Sequence, residues 1–325
     1  MTLNSFDKTV NGRLIKTPWD PDYPLQPWPP YNFWSVQNYS GEWQSELKLK
    51  KLNKTQLESC FEKTHIHFVG DSRTRQIYRS FKQYLLDNST FVDSQTQLEL
   101  TDRLPNMVNI SWRWSQSFAD KKRATSMKAL SSSLQSQVLP SIHAKIKTLP
   151  KNTKLVVIIG EQILHQMEHV FGKIVSIEMI QVYVDMVEEW VFSRVFEPLI
   201  EQVLGKIVGI LLKFDFVKVV FMGSHLRLVD REKMVLYKKI VTEYNIQMRR
   251  LILKLKDGYQ LGDDKLEFLS VIDKIGVENE NGYPLTLDGT HLNWPRSRYN
   301  NESTVQVPAH LAIDNILVNY LCIKE

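Results

Sequence analysis

Residues 65–86 read HIHFVGDSRTRQIYRSFKQYLL, and this stretch decides the fold. Its first five residues form a short apolar-rich run that stops at Gly70, the length and punctuation of a buried strand. From Ser72 onward Ile77, Phe81, Tyr84 and Leu85 recur at helical spacing as far as Leu86. The stretch is therefore a strand, a tight turn and a helix.

The same alternation continues downstream. Met107–Trp114 is rich in β-branched and aromatic residues and reads as a strand, and the segment from about 120 to 149 is polar on one side and helical in pattern. Leu155–Ile159 is an unbroken apolar run ending at Gly160, as expected of a strand buried on both faces of a parallel sheet. Residues 163–214 read as two helices, Val217–Met222 as a strand and Met234–Leu255 as an amphipathic helix. Leu266–Ile272 is the last strand, and Val307–Cys322 closes the chain as a helix. Strands separated by helices of this length must be mostly parallel, because a parallel pair needs a crossover. The expected fold class is α/β, a three-layer α/β/α sandwich with a mostly parallel central sheet. Ligands of such sheets bind beyond the carboxyl ends of the strands, so Gly70–Ser72, Gly160 and the loop after Ile272 should share one rim.

Upstream, residues 17–34 hold six prolines among aromatic residues, which favours an extended segment lying across a surface. Residues 1–58 read as an N-terminal extension and 59–325 as one domain. With 43% hydrophobic residues, 325 residues can bury a large core. The net charge of +5 is spread along the chain rather than gathered into arms, so nucleic acid is not implied, while a modest attraction to anionic partners is. No signal peptide is visible at the N-terminus, and no run approaches the roughly 20 apolar residues of a membrane span. Sequons at Asn38, Asn53, Asn88, Asn109 and Asn301 hint at a secretory lumen. Cys60 and Cys322 are too few for a disulfide framework or a cysteine zinc site; they are either one staple between the ends of the domain or two unpaired thiols.

Two pieces could carry chemistry. Ser72, at the turn into a helix, would sit near the positive end of the helix dipole, which favours an attacking hydroxyl and the anionic intermediate that follows. The bland alternative is a helix cap, a role that suits both Ser and Asp. Far downstream, Leu287-Asp-Gly-Thr-His-Leu292 places Asp288 three residues before His291. A serine hydroxyl needs a histidine to take its proton, and that histidine works best with a carboxylate holding its tautomer.

The Gly-Asp-Ser and Asp-x-x-His blocks, in this order and context, resemble the SGNH (GDSL) superfamily. The longer run Phe68-Val-Gly-Asp-Ser-Arg-Thr-Arg-Gln-Ile-Tyr78 resembles its PC-esterase branch. Within that branch the motifs look most like the N-terminal luminal domain of sialate O-acetyltransferases, with the neurexophilin-and-PC-esterase proteins a more distant comparison. Cys60 and Cys322 also fit the branch. The resemblance implies a catalytic domain over 59–325, with Ser72 as nucleophile, His291 as general base and Asp288 as orienting acid. It implies acyl transfer through an acyl-serine, with a sialic acid or related glycan as acceptor and acetyl-CoA as a donor that is not tightly bound. Deacylation by water would make the same site an esterase. A luminal or secreted binding domain without catalysis is the reading of another class, and a Golgi or extracellular location follows from the branch.

The superfamily's oxyanion hole uses the nucleophile's N–H, a glycine after the second strand and an asparagine in Gly-x-Asn. Here Gly160-Glu-Gln162 puts Gln162 in the asparagine's place, and no clear glycine follows Met107–Trp114. A missing donor costs on the order of 3 kcal/mol of transition-state stabilisation. Arg73 could hold a substrate carboxylate or phosphate, or be, like Arg75, a helix charge. Trp112, Trp114 and Trp294 could stack on a sugar ring or adenine, or belong to the core. One rival motif, His165-Gln-Met-Glu168-His169, spells the inverted zinc-protease pattern, but no third ligand is singled out downstream.

Overall fold

The computed structural model describes residues 50, 52–86, 98–104, 109–115, 134–160, 201–223, 245–262, 264–269 and 313–322, and the backbone path of 12–16, 41–45, 90–91, 197–200, 231–244, 294–295, 304–305 and 308–312. The strands are β1 (Gly12–Lys16), β2 (Gly41–Ser45), β3 (Thr64–Gly70), β4 (Thr90–Phe91), β5 (Glu99–Arg103), β6 (Asn109–Trp114), β7 (Lys154–Ile159), β8 (Val217–Met222), β9 (Leu266–Leu269), β10 (Trp294–Pro295) and β11 (Thr304–Val305). The helices are α1 (Lys54–Phe61), α2 (Ser72–Leu86), α3 (Leu139–Thr148), α4 (Glu197–Lys213), α5 (Arg231–Tyr259) and α6 (Pro308–Cys322), with a π-helical turn, Leu134–Val138, leading into α3.

The central sheet has six strands in the order β5-β6-β3-β7-β8-β9. All pairs are parallel except β5 with β6. The seven residues of β3 are all buried, as a strand with a helical layer on each face must be. Alternation along the strands sorts two cores. On one face Ile66, Phe68, Ile110, Trp112 and Ile158 meet α1, α2 and α6. On the other, Val69, Leu155, Val157, Ile159 and Val219 meet α3, α4 and α5. The architecture is the three-layer sandwich that the strand and helix patterns imply.

Two features of this frame position the rim. The chain leaves β3 into α2 on one face, whereas β6 leads to α3 on the other. The strand order also reverses at β3, since β6 lies on one side of it and β7 on the other. Such a reversal opens a crevice beyond the carboxyl ends of the strands. Inside the sandwich α2 is fixed by aromatic packing, with Phe81 5.8 Å from Phe68 and 6.1 Å from Phe61, and Tyr78 6.0 Å from Phe68. Burial of each such ring stabilises by roughly 1.5–3 kcal/mol.

The structure adds what periodicity does not show. The edge strand β5 alternates exposed Glu99, Thr101 and Arg103 with half-buried Leu100 and Asp102, so it carries no apolar run to read. The described part of the segment 120–149 is a π-turn and then a short helix, restarted where Pro140 can sit in a first turn without an N–H. Helix α1, capped by Asn53 in a capping box, runs across position 58 and sends Leu57 and Phe61 into the core. The hairpin β1–β2 lies upstream of it, with β2 against α6. Cys60 and Cys322 are joined in a disulfide, Cα–Cα 5.4 Å, which ties α1 to α6. Beside it the Asn319 amide accepts from the Lys50 N–H at 2.8 Å and donates to its carbonyl at 2.9 Å, so the strap entering α1 is held at both polar groups.

Candidate active site

The turn from β3 to α2 is built by Asp71. Its carboxylate accepts from the N–H of Arg73 at 3.0 Å and of Thr74 at 3.3 Å, and its carbonyl takes the N–H of Arg75 at 3.0 Å. Asp71 is therefore the N-cap of α2, and Ser72 is its first helical residue. The cap that Ser72 might have supplied comes from its neighbour. From Thr64 to Phe81 every residue is buried except Ser72. A polar side chain thus reaches solvent at one point in an otherwise closed stretch, at the positive end of a 15-residue helix and over the crevice.

The neighbouring strand ends close around it. After β6 the N–H of Ser115 donates to the Gly70 carbonyl at 2.9 Å, and after β7 the N–H of Gly160 donates to the Val69 carbonyl at 3.0 Å. Ser115 stands where the second-strand glycine was sought, and its amide belongs to the sheet, as does that of Gly160. The role of Gly160 that the structure shows is steric. A methyl group on it would lie 2.1 Å from the Thr74 hydroxyl and 2.8 Å from the Met222 methyl, and one on Gly70 would lie 2.2 Å from the same hydroxyl. Thr74, fully buried, fills the notch between the two glycines, and its hydroxyl has no hydrogen-bond partner among the described residues. Thr74 is the residue that sequence reasoning missed, because a threonine in a first helical turn carries no signal of its own.

The remaining candidates divide. Arg73 is 3% exposed, so it is not an open clamp for a ligand on the rim. Arg75 is also buried, with its guanidinium 5.6 Å from the Trp112 ring. Trp112 is completely buried and cannot stack on a ligand, whereas Trp114, edge-on to it at 5.9 Å, is half-buried at the rim beside Gly70. Trp294 lies in β10, which pairs with β11, which pairs with β4 behind α2. Gln162, Asp288, His291 and the His165–His169 motif lie outside the described residues. Among the described residues no three His, Cys, Asp or Glu side chains cluster as a metal site, and no helix is long and apolar enough to cross a membrane.

A search of curated proteins found no match to this chain. Residues 43–173 match a family model described as the NXPE family member 4-like, C-terminal domain. The match takes in Ser72, Gly160 and Gln162 and ends before Asp288 and His291. Of the two comparisons drawn from the motifs, the one set further away is the one this match supports, and nothing in it is specific to sialate O-acetyltransferases. Over that stretch the chain is thus similar to a domain of the NXPE family, which belongs to the SGNH/PC-esterase-like group.

Proposed function

We propose that this domain transfers an acyl group through an acyl-serine at Ser72, with His291 as base and Asp288 orienting it. The observation that carries the reading is that Ser72 alone in the buried stretch 64–81 is only half-buried, at the helix end where negative charge is favoured. In the first step the Ser72 oxygen attacks the donor's carbonyl carbon, the serine proton passes to His291, and the bond to the donor's sulfur or oxygen breaks as that atom takes the proton. In the second a sugar hydroxyl attacks the acyl-serine, its proton passes through His291 to the Ser72 oxygen, and the ester forms on the sugar. A sialic acid or related glycan is the proposed acceptor and acetyl-CoA the proposed donor, on the motif resemblance. Water in place of the sugar gives an esterase. The Cys60–Cys322 disulfide supports a secretory or extracellular location, because such bonds persist in oxidising compartments.

A second reading is a binding domain that keeps the fold without catalysis. The commitment of both the Ser115 and Gly160 amides to the sheet favours it, since neither is then available to an oxyanion. A serine-reactive fluorophosphonate separates the two. Under the acyl-transfer reading the wild type is labelled at Ser72 and Ser72→Ala is not, and incubation with acetyl-CoA adds an acetyl group to the Ser72 peptide in mass spectra. A wild type that takes no label, or a Ser72→Ala variant labelled equally, leaves the binding domain standing.

A further inference from the structure

On the face of the sheet away from α2, β7 presents Leu155 and Val157, but β3 and β6 present a line of polar groups. His65 Nε2 lies 2.7 Å from Ser111 Oγ, and the same oxygen lies 2.7 Å from His67 Nδ1. His67 Nε2 lies 2.7 Å from the Ser141 hydroxyl on α3. His67 and Ser111 are completely buried, Ser141 nearly so, and His65 is 8% exposed. We propose that this chain of two imidazoles and two hydroxyls is an acid-released latch that holds α3 against the sheet.

Neutral histidines suit the chain. Each neutral ring has one donor and one acceptor nitrogen, and each hydroxyl both donates and accepts, so a single direction of proton order satisfies every link. A proton added to either ring adds a buried charge, and the surroundings oppose it. Among the described residues, Lys145 from α3, Arg113 from β6 and Arg103 from β5 belong to this face, against one carboxylate, Glu99 on β5, already paired with Lys145 at 3.1 Å. His143, also on α3, is exposed. A second proton would place two imidazolium rings 6.4 Å apart. Burial, with Lys145 next in importance, pushes His65 down to about 4 and His67 well below its ordinary value.

The sign follows from these directions. Both groups bind protons more weakly in the closed form than when exposed, so closure is favoured in full above pH about 6.5 and weakens as pH falls from there toward about 4. Helix α2 is held on the opposite face by other groups. Ser80 donates to Asp314 at 2.5 Å, Tyr84 donates to Asn315 at 2.9 Å, and α6 is tied by the disulfide. Acid should therefore free α3 before α2.

Hydrogen exchange on the full chain, disulfide intact, from pH about 7 to about 4.5 and corrected for intrinsic rates, tests this. Opening of peptides from 134–148 is expected to rise by up to about tenfold per pH unit for each histidine, while peptides from 72–86 stay protected. The variant His65→Gln/His67→Gln should lose the pH dependence. Lys145→Met, outside the chain of imidazoles and hydroxyls, should flatten it in part, because removing a cation eases protonation. Protection of α3 that ignores pH in the wild type, an unchanged slope in Lys145→Met, or simultaneous opening of α2 and α3 overturns the latch.

Discussion

At Gly160 the backbone passes so near Thr74 that a single added carbon would meet its hydroxyl at 2.1 Å. Glycine is needed there for space, and Gly70 meets the other side of the same side chain. Gly160→Ala should therefore destabilise the protein by roughly 1–3 kcal/mol in urea denaturation. Removing the obstacle with Thr74→Ala in the same chain should recover much of that, leaving the flexible end of Met222 as the next contact. A coupling energy near zero between the two substitutions would mean that the notch is not what requires the glycine. The glycine at the end of the Leu155–Ile159 run was legible as a rim position, but its reason was not, since Thr74 and Gly160 are far apart in sequence and meet only in the fold.

Helix α2 separates two roles that the tripeptide Gly-Asp-Ser leaves mixed. Asp71 holds the two N–H groups of the first turn, so Asp71→Ala should cost about 1 kcal/mol, and Asp71→Asn much less. Ser72→Ala, outside the cap, should change stability by less than about 0.5 kcal/mol in urea denaturation. A large loss at Ser72 would return the serine to a structural role. At this scale the strands and helices with strong periods were readable. β3, α2, β7, β8 and α6 fall within a residue of their expected bounds, because each must bury a continuous stripe or run. Strand β5 was not, because an edge strand hides one residue in two and here does so with Leu100 and Asp102. Asp102 takes hydrogen bonds from Tyr78 and Lys82, so the pairing that gives β5 its place is made by α2 and not by its own sequence.

Across the whole molecule the disulfide ties together residues 262 positions apart, Cys60 and Cys322. Closing so long a loop in the unfolded chain removes entropy worth about 5–6 kcal/mol in the chain-entropy model. Cys60→Ser and Cys322→Ser should each lower the unfolding free energy by a comparable amount, and reductant should lower the wild type to the same level. Equal stability with and without reductant would show that α1 and α6 are held by packing alone.

The chain's own pattern determined the α/β class, the parallel sheet and the placing of Ser72 and Gly160 at strand ends, because periodicity and glycine punctuation are local properties of a polymer in water. Only the tertiary structure decided that Asp71 caps while Ser72 stays half-buried, that Arg73 is buried, that Cys60 meets Cys322, and that two histidines two residues apart share one serine from the next strand. Each of these depends on which surfaces are pressed together, and that is settled by distances between residues remote in the sequence.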